Sequence, residues 1–533
     1  MVNQHTPAST TSLFRKRYLA LCILSVTGLS VAQPVMAAET KAKNVIVMIN
    51  DGAGWGTWDA TSYWQYGARD KTPYAGFPVK LAMTTFPLNA SKKATHNADS
   101  LVNYDPKRAW DVTADAANKD LPFKGYEYLA TEPTDSAAAG TALASGIKTY
   151  NNAINYDNNG KPVDFVTLVA KQQGKATGVV TSVPFSHATP AAFGAQNASR
   201  NDYHAIARQM LTGGKLDLIM GTGLPGFNAN GTACDQLVKD ESDVGCGKDA
   251  NSYLAKEEWD ALQAGKLIPA GATSPWKVLR SSEEFSQLAS GALKVDGPLI
   301  GSPNVAPNGT LQQGRQAVIT GKDSATPSGD AYIRGVPTLA TMTEGAIQHL
   351  SKNNNGFFVM IEGGATDWAA HTSNACSGKG DWGNSYNPNC TGVEYGRLIE
   401  ETADFNNAVS AVVEWVEKNS SWEETLLIVT TDHDNGMPMG ADAQKTAFEA
   451  VANKGKGQMP GISFRPTGNH SNALVPLWAK GAGSEAFAAR VQGTDAGYAK
   501  YVGLNNGAYI DNTDVFKVVK AALEGSAVEK IAQ

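Results

Sequence analysis

The chain has 533 residues, 42% of them hydrophobic and 18% charged, with 45 Lys and Arg against 51 Asp and Glu. That is globular composition with ample material for a core, which excludes a disordered or low-complexity protein. The mildly acidic balance also argues against a nucleic-acid or anionic-membrane partner.

The first segment carries Arg15, Lys16 and Arg17, an apolar run from Tyr18 to Ala32, and then Val35, Met36 and Ala37 before Ala38. This is the layout of a secretory signal over residues 1–37, cleaved after Ala37. The alternative is a membrane anchor, but the run is shorter than the ~20 residues a spanning helix needs, and Ser25, Thr27, Gly28 and Ser30 weaken it. Export to the periplasm or the medium is therefore expected, with no membrane anchor after cleavage. Cys22 leaves with the signal, and Cys234, Cys246, Cys376 and Cys390 remain. In an oxidising compartment they pair locally, Cys234 with Cys246 and Cys376 with Cys390, since neither pair has the C-x-x-C spacing of a structural zinc site.

Four short apolar runs follow: Asn44 to Ile49, Ala176 to Thr181, Phe357 to Ile361 and Thr425 to Thr430. Each reads as a strand buried on both faces, as in parallel sheets. Between them lie amphipathic helices, for example Thr402 to Lys418, where Phe405, Val409, Val412, Val413 and Val416 share one stripe. The expected fold is α/β, a three-layer sandwich whose central, mostly parallel sheet is flanked by helices. Residues 38–533 are read as one domain carrying large polar loop insertions at about 55–128, 221–336 and 437–468. In such folds ligands bind beyond the carboxyl ends of the strands, so those segments are where chemistry is sought.

The first strand ends in Asn50-Asp51-Gly52, a sequence that alone reads equally as a common turn. Thr134-Asp135-Ser136 opens an alanine-rich helix. The free amides there would stabilise an alkoxide or a phosphoryl group, although Ser136 also fits a simple helix cap. After the second strand come His187, Thr189 and then Arg200, a planar clamp suited to two phosphate oxygens or an ordinary solvated side chain. The third strand runs into Glu362, Asp367, Trp368 and His371. Asp367 and His371 are four apart, so on a helix they share a face, as two ligands of one metal ion or as a surface ion pair. Thr431-Asp432-His433-Asp434 and then His470 complete a mixture of carboxylate and imidazole that zinc prefers.

In this order, from Asn44 to about Ala479, the blocks resemble the alkaline phosphatases. The resemblance implies an exported phosphate monoester hydrolase, an alkaline phosphatase, working through a phosphoserine with two Zn2+ ions and one Mg2+ ion. It implies that Asp367, His371 and His470 hold one zinc and Asp51, Asp432 and His433 the other. Asp51, Thr189 and Glu362 would then serve magnesium. Ser136 falls at the nucleophile, Arg200 at the phosphate clamp and Asp135 where it orients that arginine. His187 and Trp368 depart from the best-known bacterial members, which have Asp and Lys there; other members carry His or Trp. Small-molecule phosphate monoesters are the implied substrates, and a homodimer is compatible with the family. Sulfatases of the wider superfamily need a cysteine in C-x-P-x-R, whereas here Ser136 is followed by three alanines.

Overall fold

The apolar runs lie side by side at the centre of one sheet. The structure is a computed structural model that describes residues 41–97, 104–236, 245–312, 323–372 and 393–531. In chain order the strands are β1 (Asn44–Ile49), β2 (Val79–Thr84), β3 (Ala176–Pro184), β4 (Leu218–Thr222), β5 (Lys277–Leu279), β6 (Leu299–Gly301), β7 (Phe357–Glu362), β8 (Thr425–Thr430), β9 (Asp434–Asn435), β10 (His470–Ser471), β11 (Val475–Gly481), β12 (Gly493–Thr494) and β13 (Ala508–Asp511). Their order across the large sheet is β12-β13-β2-β11-β8-β1-β7-β3-β4-β6-β5. From β8 to β5 every pairing is parallel. β11 runs antiparallel to both β8 and β2, so the sheet is mixed but mostly parallel.

Alternation along β1 shows why three layers form. Val45, Val47 and Ile49 enter one core with residues of the helices Ser136–Ser145, Tyr203–Thr212 and Thr513–Glu524. Ile46 and Met48 enter the other with the helices Leu339–Leu350 and Val393–Asn419. Successive side chains on a strand point to opposite faces, so a continuous apolar run needs a helical layer on each side. Fully burying one such side chain contributes roughly 1.5–3 kcal/mol, which is what holds the layers together. Phe405, Val409, Val412 and Val416 are wholly buried on the long helix, which starts nine residues before the expected Thr402.

Two expected insertions need correction. Residues 55–128 include the helix Trp55–Tyr66 and β2, and β2 sits inside the central sheet between β13 and β11. Residues 221–336 include β5 and β6, which extend the sheet at its edge. Both regions therefore build the framework as well as loops. Residues 437–468 carry no strand or helix of the sheet's layers; isolated bridges tie Met439 to Phe464 and Ala452 to Gly461.

Cys234 and Cys246 are joined, their Cα atoms 5.8 Å apart. The expected pair Cys376–Cys390 and the signal over residues 1–37 lie outside the described residues. Among the described residues no helix is long and apolar enough to cross a membrane.

Candidate active site

Three adjacent strands, β8-β1-β7, stop at one level, and β3 beside β7 runs on past it to Pro184. Ile49 is paired with Glu362 and with Thr430, and Glu362 is paired in turn with Thr181. The residues that follow are thereby delivered to one edge: Asp432 and His433 after β8, Asp51 after β1, Glu362 at the end of β7, and His187 with Thr189 after β3. His470 arrives differently. It lies on β10, which pairs antiparallel with β9 and folds the imidazole back over the edge.

Asp367 and His371 occupy the helix Ala365–Thr372, one turn apart. Asp367 Oδ2 is 3.4 Å from His371 Nε2, Asp367 Oδ1 is 3.4 Å from His470 Nε2, and the two imidazole Nε2 atoms are 3.2 Å apart. A tetrahedral ion with bonds of ~2.0–2.1 Å spaces its ligand atoms about 3.3–3.4 Å apart, and these separations, which engage one Asp367 oxygen for each imidazole, are close to that spacing. His470 Nδ1 donates to the carbonyl oxygen of Thr134 at 2.7 Å, which fixes the tautomer and leaves the Nε2 lone pair facing the triangle. Asn435 Nδ2 donates to Asp367 Oδ1 at 2.7 Å, and Arg465 in turn donates to Asn435 Oδ1.

A second triangle lies beside the first. His433 Nε2 is 3.4 Å from Asp51 Oδ1 and 3.2 Å from Asp432 Oδ2, and these oxygens, like His433 Nδ1, have no hydrogen-bond partner although they are buried. Buried polar atoms are nearly always satisfied, so orphaned lone pairs on two carboxylates suit a cation. The rings of His433 and His470 stack at 3.7 Å, and ligand atoms of Asp51, Asp367 and His433 all fall within 4.8 Å of one another. The two triangles are therefore neighbours. Around the remaining face of Asp51 the donors are oxygens only: Thr189 Oγ1 donates to Asp51 Oδ2 at 3.3 Å, and Glu362 accepts from Thr181 Oγ1. An all-oxygen set suits magnesium.

The electrostatics carry the same message. Burial pushes the Asp51 carboxyl well above the usual carboxylate range, with the charges of Asp432, Asp367 and Glu362 adding to it. Burial also raises Glu362 to about 8, against the hydrogen bond from Thr181, and Asp432 to about 6. Like-charged carboxylates out of water hold protons unless a cation replaces them.

Ser136 is buried, with Oγ 3.0 Å from His433 Nε2. The helix Ser136–Ser145 is capped by Asp135, whose carboxylate accepts from the Ala138 amide at 2.9 Å. The capping alternative for Ser136 is thus removed, and its hydroxyl stands at the first helical position. Asp135 Oδ2 also accepts from Arg200 Nη1 at 3.1 Å and from the Asn152 amide at 3.0 Å, so one carboxylate sets both the helix end and the arginine. Arg200 Nη2 lies 3.3 Å from Nε2 of His187, whose ring meets Trp368 edge-on at 5.5 Å. Ser136, Arg200, Asp367, His371 and His470 share a cavity of about 310 Å³.

All the expected site residues among those described thus converge. Sequence reasoning missed Thr181, Asn435 and Arg465. Thr181 ends a strand read as apolar, and its hydroxyl was the available signal; Asn435 and Arg465 act through contacts that no local pattern announces. Gly52 has a steric duty as well, since its φ is +70° and an added Cβ would lie 2.6 Å from Asp367 Oδ1. Gly52→Ala should displace Asp367 and lower the bound metal content, by metal analysis, to well below that of the parent.

Fold and site together define the class: a three-layer α/β protein whose sheet edge gathers carboxylates and imidazoles around one buried serine. The family model for alkaline phosphatase matches residues 42–265 and 303–381, and the chain belongs to the alkaline phosphatase family. It is 32% identical to alkaline phosphatase 4 of Bacillus subtilis over 413 residues, 76% of this chain and 65% of that protein, so it spans just under two thirds of that relative's length. It is 29% identical to alkaline phosphatase of Escherichia coli K12 over 406 residues, 73% of this chain and 74% of that one. In three dimensions it resembles alkaline phosphatase from the Antarctic bacterium TAB5, with a TM-score of 0.53 at 24% identity, covering 91% of this chain and 99% of that one.

Proposed function

We propose that the protein is an exported alkaline phosphatase that hydrolyses small-molecule phosphate monoesters through a phosphoserine on Ser136, with two zinc ions and one magnesium ion. The reading is carried by two neighbouring ligand groups, Asp367 with His371 and His470 and His433 with Asp51 and Asp432, whose nitrogen–oxygen and nitrogen–nitrogen separations are 3.2–3.4 Å, and by the Ser136 hydroxyl 3.0 Å from His433. Asp367, His371 and His470 would hold the first zinc, Asp51, Asp432 and His433 the second, and Asp51, Thr189 and Glu362 the magnesium. Bound there, the ions would neutralise the phosphate dianion and the departing alkoxide and favour the ionised serine.

The chain's own residues supply the rest. Arg200, steered by Asp135, would hold two nonbridging oxygens with its planar fork and keep phosphorus in line with Ser136 Oγ. Ser136 gives its proton to solvent water, the Oγ–P bond forms as the ester P–O bond breaks, and the departing alkoxide takes a proton back from solvent to leave as the alcohol. Water then attacks phosphorus from the vacated side, releasing phosphate and restoring the hydroxyl of Ser136. The amides at the start of the helix Ser136–Ser145, ahead of the Ala138 amide that Asp135 caps, would offer their partial positive charge to the phosphoryl group throughout. His187 and Trp368 adjoin Arg200 and Asp367, so their departure from Asp and Lys bears on the water around the magnesium ligands. Residues 38–533 are read as one catalytic domain, reached after export by the signal, and a homodimer is compatible with the family.

A cationic two-oxygen clamp favours monoesters, since the two nonbridging oxygens of a diester share a single negative charge whereas the three of a monoester dianion carry two. Initial rates on p-nitrophenyl phosphate, bis(p-nitrophenyl) phosphate and p-nitrophenyl sulfate test this. The monoester should be turned over fastest; a faster diester or sulfate would overturn the assignment, and no turnover at all would make the chain a binding protein.

A further inference from the structure

The cavity that holds Ser136 and Arg200 is walled by more than polar groups. Trp368, Tyr203 and Tyr253 line it beside His187. The rings form a continuous series: Trp368 meets His187 edge-on at 5.5 Å, His187 lies nearly parallel to Tyr203 at 6.4 Å, and Tyr203 meets Tyr253 at 4.4 Å and 49°. The mechanism above gives no part to Tyr203 or Tyr253, and to Trp368 only a bearing on the water around the proposed magnesium ligands. Two of these three rings are tied to the site residues by the chain itself, as Tyr203 follows Arg200 by three positions and Trp368 follows Asp367 directly.

Tyr253 is different, because it comes from the 221–336 segment. That segment is pinned against the site by its backbone. The carbonyl of Tyr253 accepts from Ser186 Oγ at 3.0 Å, next to His187, and the carbonyl of Asn251 accepts from His204 Nε2 at 2.7 Å. Asn251 Nδ2 donates to the Leu254 carbonyl at 3.0 Å, closing the turn that presents the ring. The Tyr253 backbone is thus held before any ligand arrives and its ring rests against that of Tyr203, so stacking on it costs little ordering entropy. The cavity, about 310 Å³, falls at the small end of the ~300–1,000 Å³ usual for small-ligand sites, which matches a phosphoryl group with one ring system.

The geometry points to a stacking platform, formed by Tyr253 with Tyr203 and Trp368, that selects phosphate monoesters whose leaving group carries a planar ring, such as benzyl-type and nucleoside monophosphates. The inference rests on the hydrolase reading and adds to it a substrate class. Flat π-faces favour planar partners, whatever their hydrogen-bonding pattern, and a saturated chain of similar size gains only contact area.

Benzyl phosphate and ethyl phosphate make the test, since both release simple primary alkoxides and differ mainly in the ring. The parent enzyme should show the higher kcat/KM on benzyl phosphate. In Tyr253→Leu, which keeps the bulk and loses the ring, the benzyl-to-ethyl ratio should fall about 3- to 10-fold. Tyr253→Phe, which keeps the ring, should retain the parent ratio. A Leu variant with the parent ratio, or a Phe variant that loses it, overturns the platform. Calorimetric binding of benzylphosphonate against ethylphosphonate separates this from the underlying reading. Preserved ring preference in binding without turnover would sink the hydrolase alone, whereas turnover with a ratio indifferent to Tyr253 would sink the platform alone.

Discussion

Ser136→Ala should lower turnover of p-nitrophenyl phosphate by roughly 10³- to 10⁵-fold, the ~4–7 kcal/mol of barrier expected when an attacking nucleophile is removed. The substitution deletes one oxygen. The helix it opens is capped by Asp135 rather than by Ser136, and alanine is a good helix former, so the fold loses no cap. The metal ligands gain no steric conflict either. Acid-quenched enzyme incubated with labelled phosphate monoester should carry a stable label on the parent chain and none on the variant, while zinc content stays the same. Full activity in the variant would refute the nucleophile, and loss of both label and zinc would mean that Ser136 acts through the metal sites.

Removing the metal ions should have the largest effect on stability. Each ion held at ~1,000 times its Kd contributes ~4 kcal/mol to the folded state, so a chelator should lower the melting temperature on the order of 10 °C or more and abolish turnover. The metal-free protein should also depend on pH in a particular direction. Glu362 is raised to about 8 by burial, Asp51 is raised well above its usual range by burial, and His470 is raised by Asp367 despite its burial. A folded-state pKa above the unfolded one means that the folded chain binds more protons, so stability falls as pH rises through the folded value. His187, His371 and His433 are shifted the other way, chiefly by burial; their contribution rises with pH and is largely complete above the ordinary histidine range near 6.5, which leaves the loss through Glu362 at about 8 to set the trend. Stripped protein should therefore melt lower at pH 8 than at pH 6.5. Loaded protein should show the opposite trend, because the ions displace those protons and bind more tightly as pH rises. Melting curves at the two pH values, with and without chelator, check both signs.

Much of this was legible in the chain because buried parallel strands are nearly continuous in apolar residues. Asn44–Ile49 and Thr425–Thr430 were read with the observed bounds, and Phe357 to Ile361 fell short only by Glu362, whose charge ended the pattern while its backbone continued the strand. β2 does not declare itself because its first two residues, Val79 and Lys80, are partly or fully exposed, and because its β11 partners lie some 400 residues away. β5 and β6 have three residues each, too short for any period to declare itself. The reversed direction of β11 was also hidden, since an apolar run reads the same either way along a sheet.

The site was legible for a related reason. Residues placed after core strands cannot serve the core, so Asp51, Glu362, Asp432 and His433 stood out as polar groups at positions the fold carries to one edge. The supporting contacts were not visible. Thr181 reaches Glu362 across 181 positions and Asn435 reaches Asp367 across 68, and such pairings are decided by register rather than by neighbours in sequence. Tyr253 belongs to the same group, a side chain whose place at the cavity is set by the docking of its loop onto Ser186 and His204.

Anomalous diffraction at the zinc absorption edge from crystals of the metal-loaded protein bears most directly on the cation centre. Two peaks are expected, one in bonding contact with Asp367, His371 and His470 and the other with Asp51, Asp432 and His433, the second next to Ser136 Oγ. A fully loaded, active protein with no zinc peak at either triangle would contradict the account.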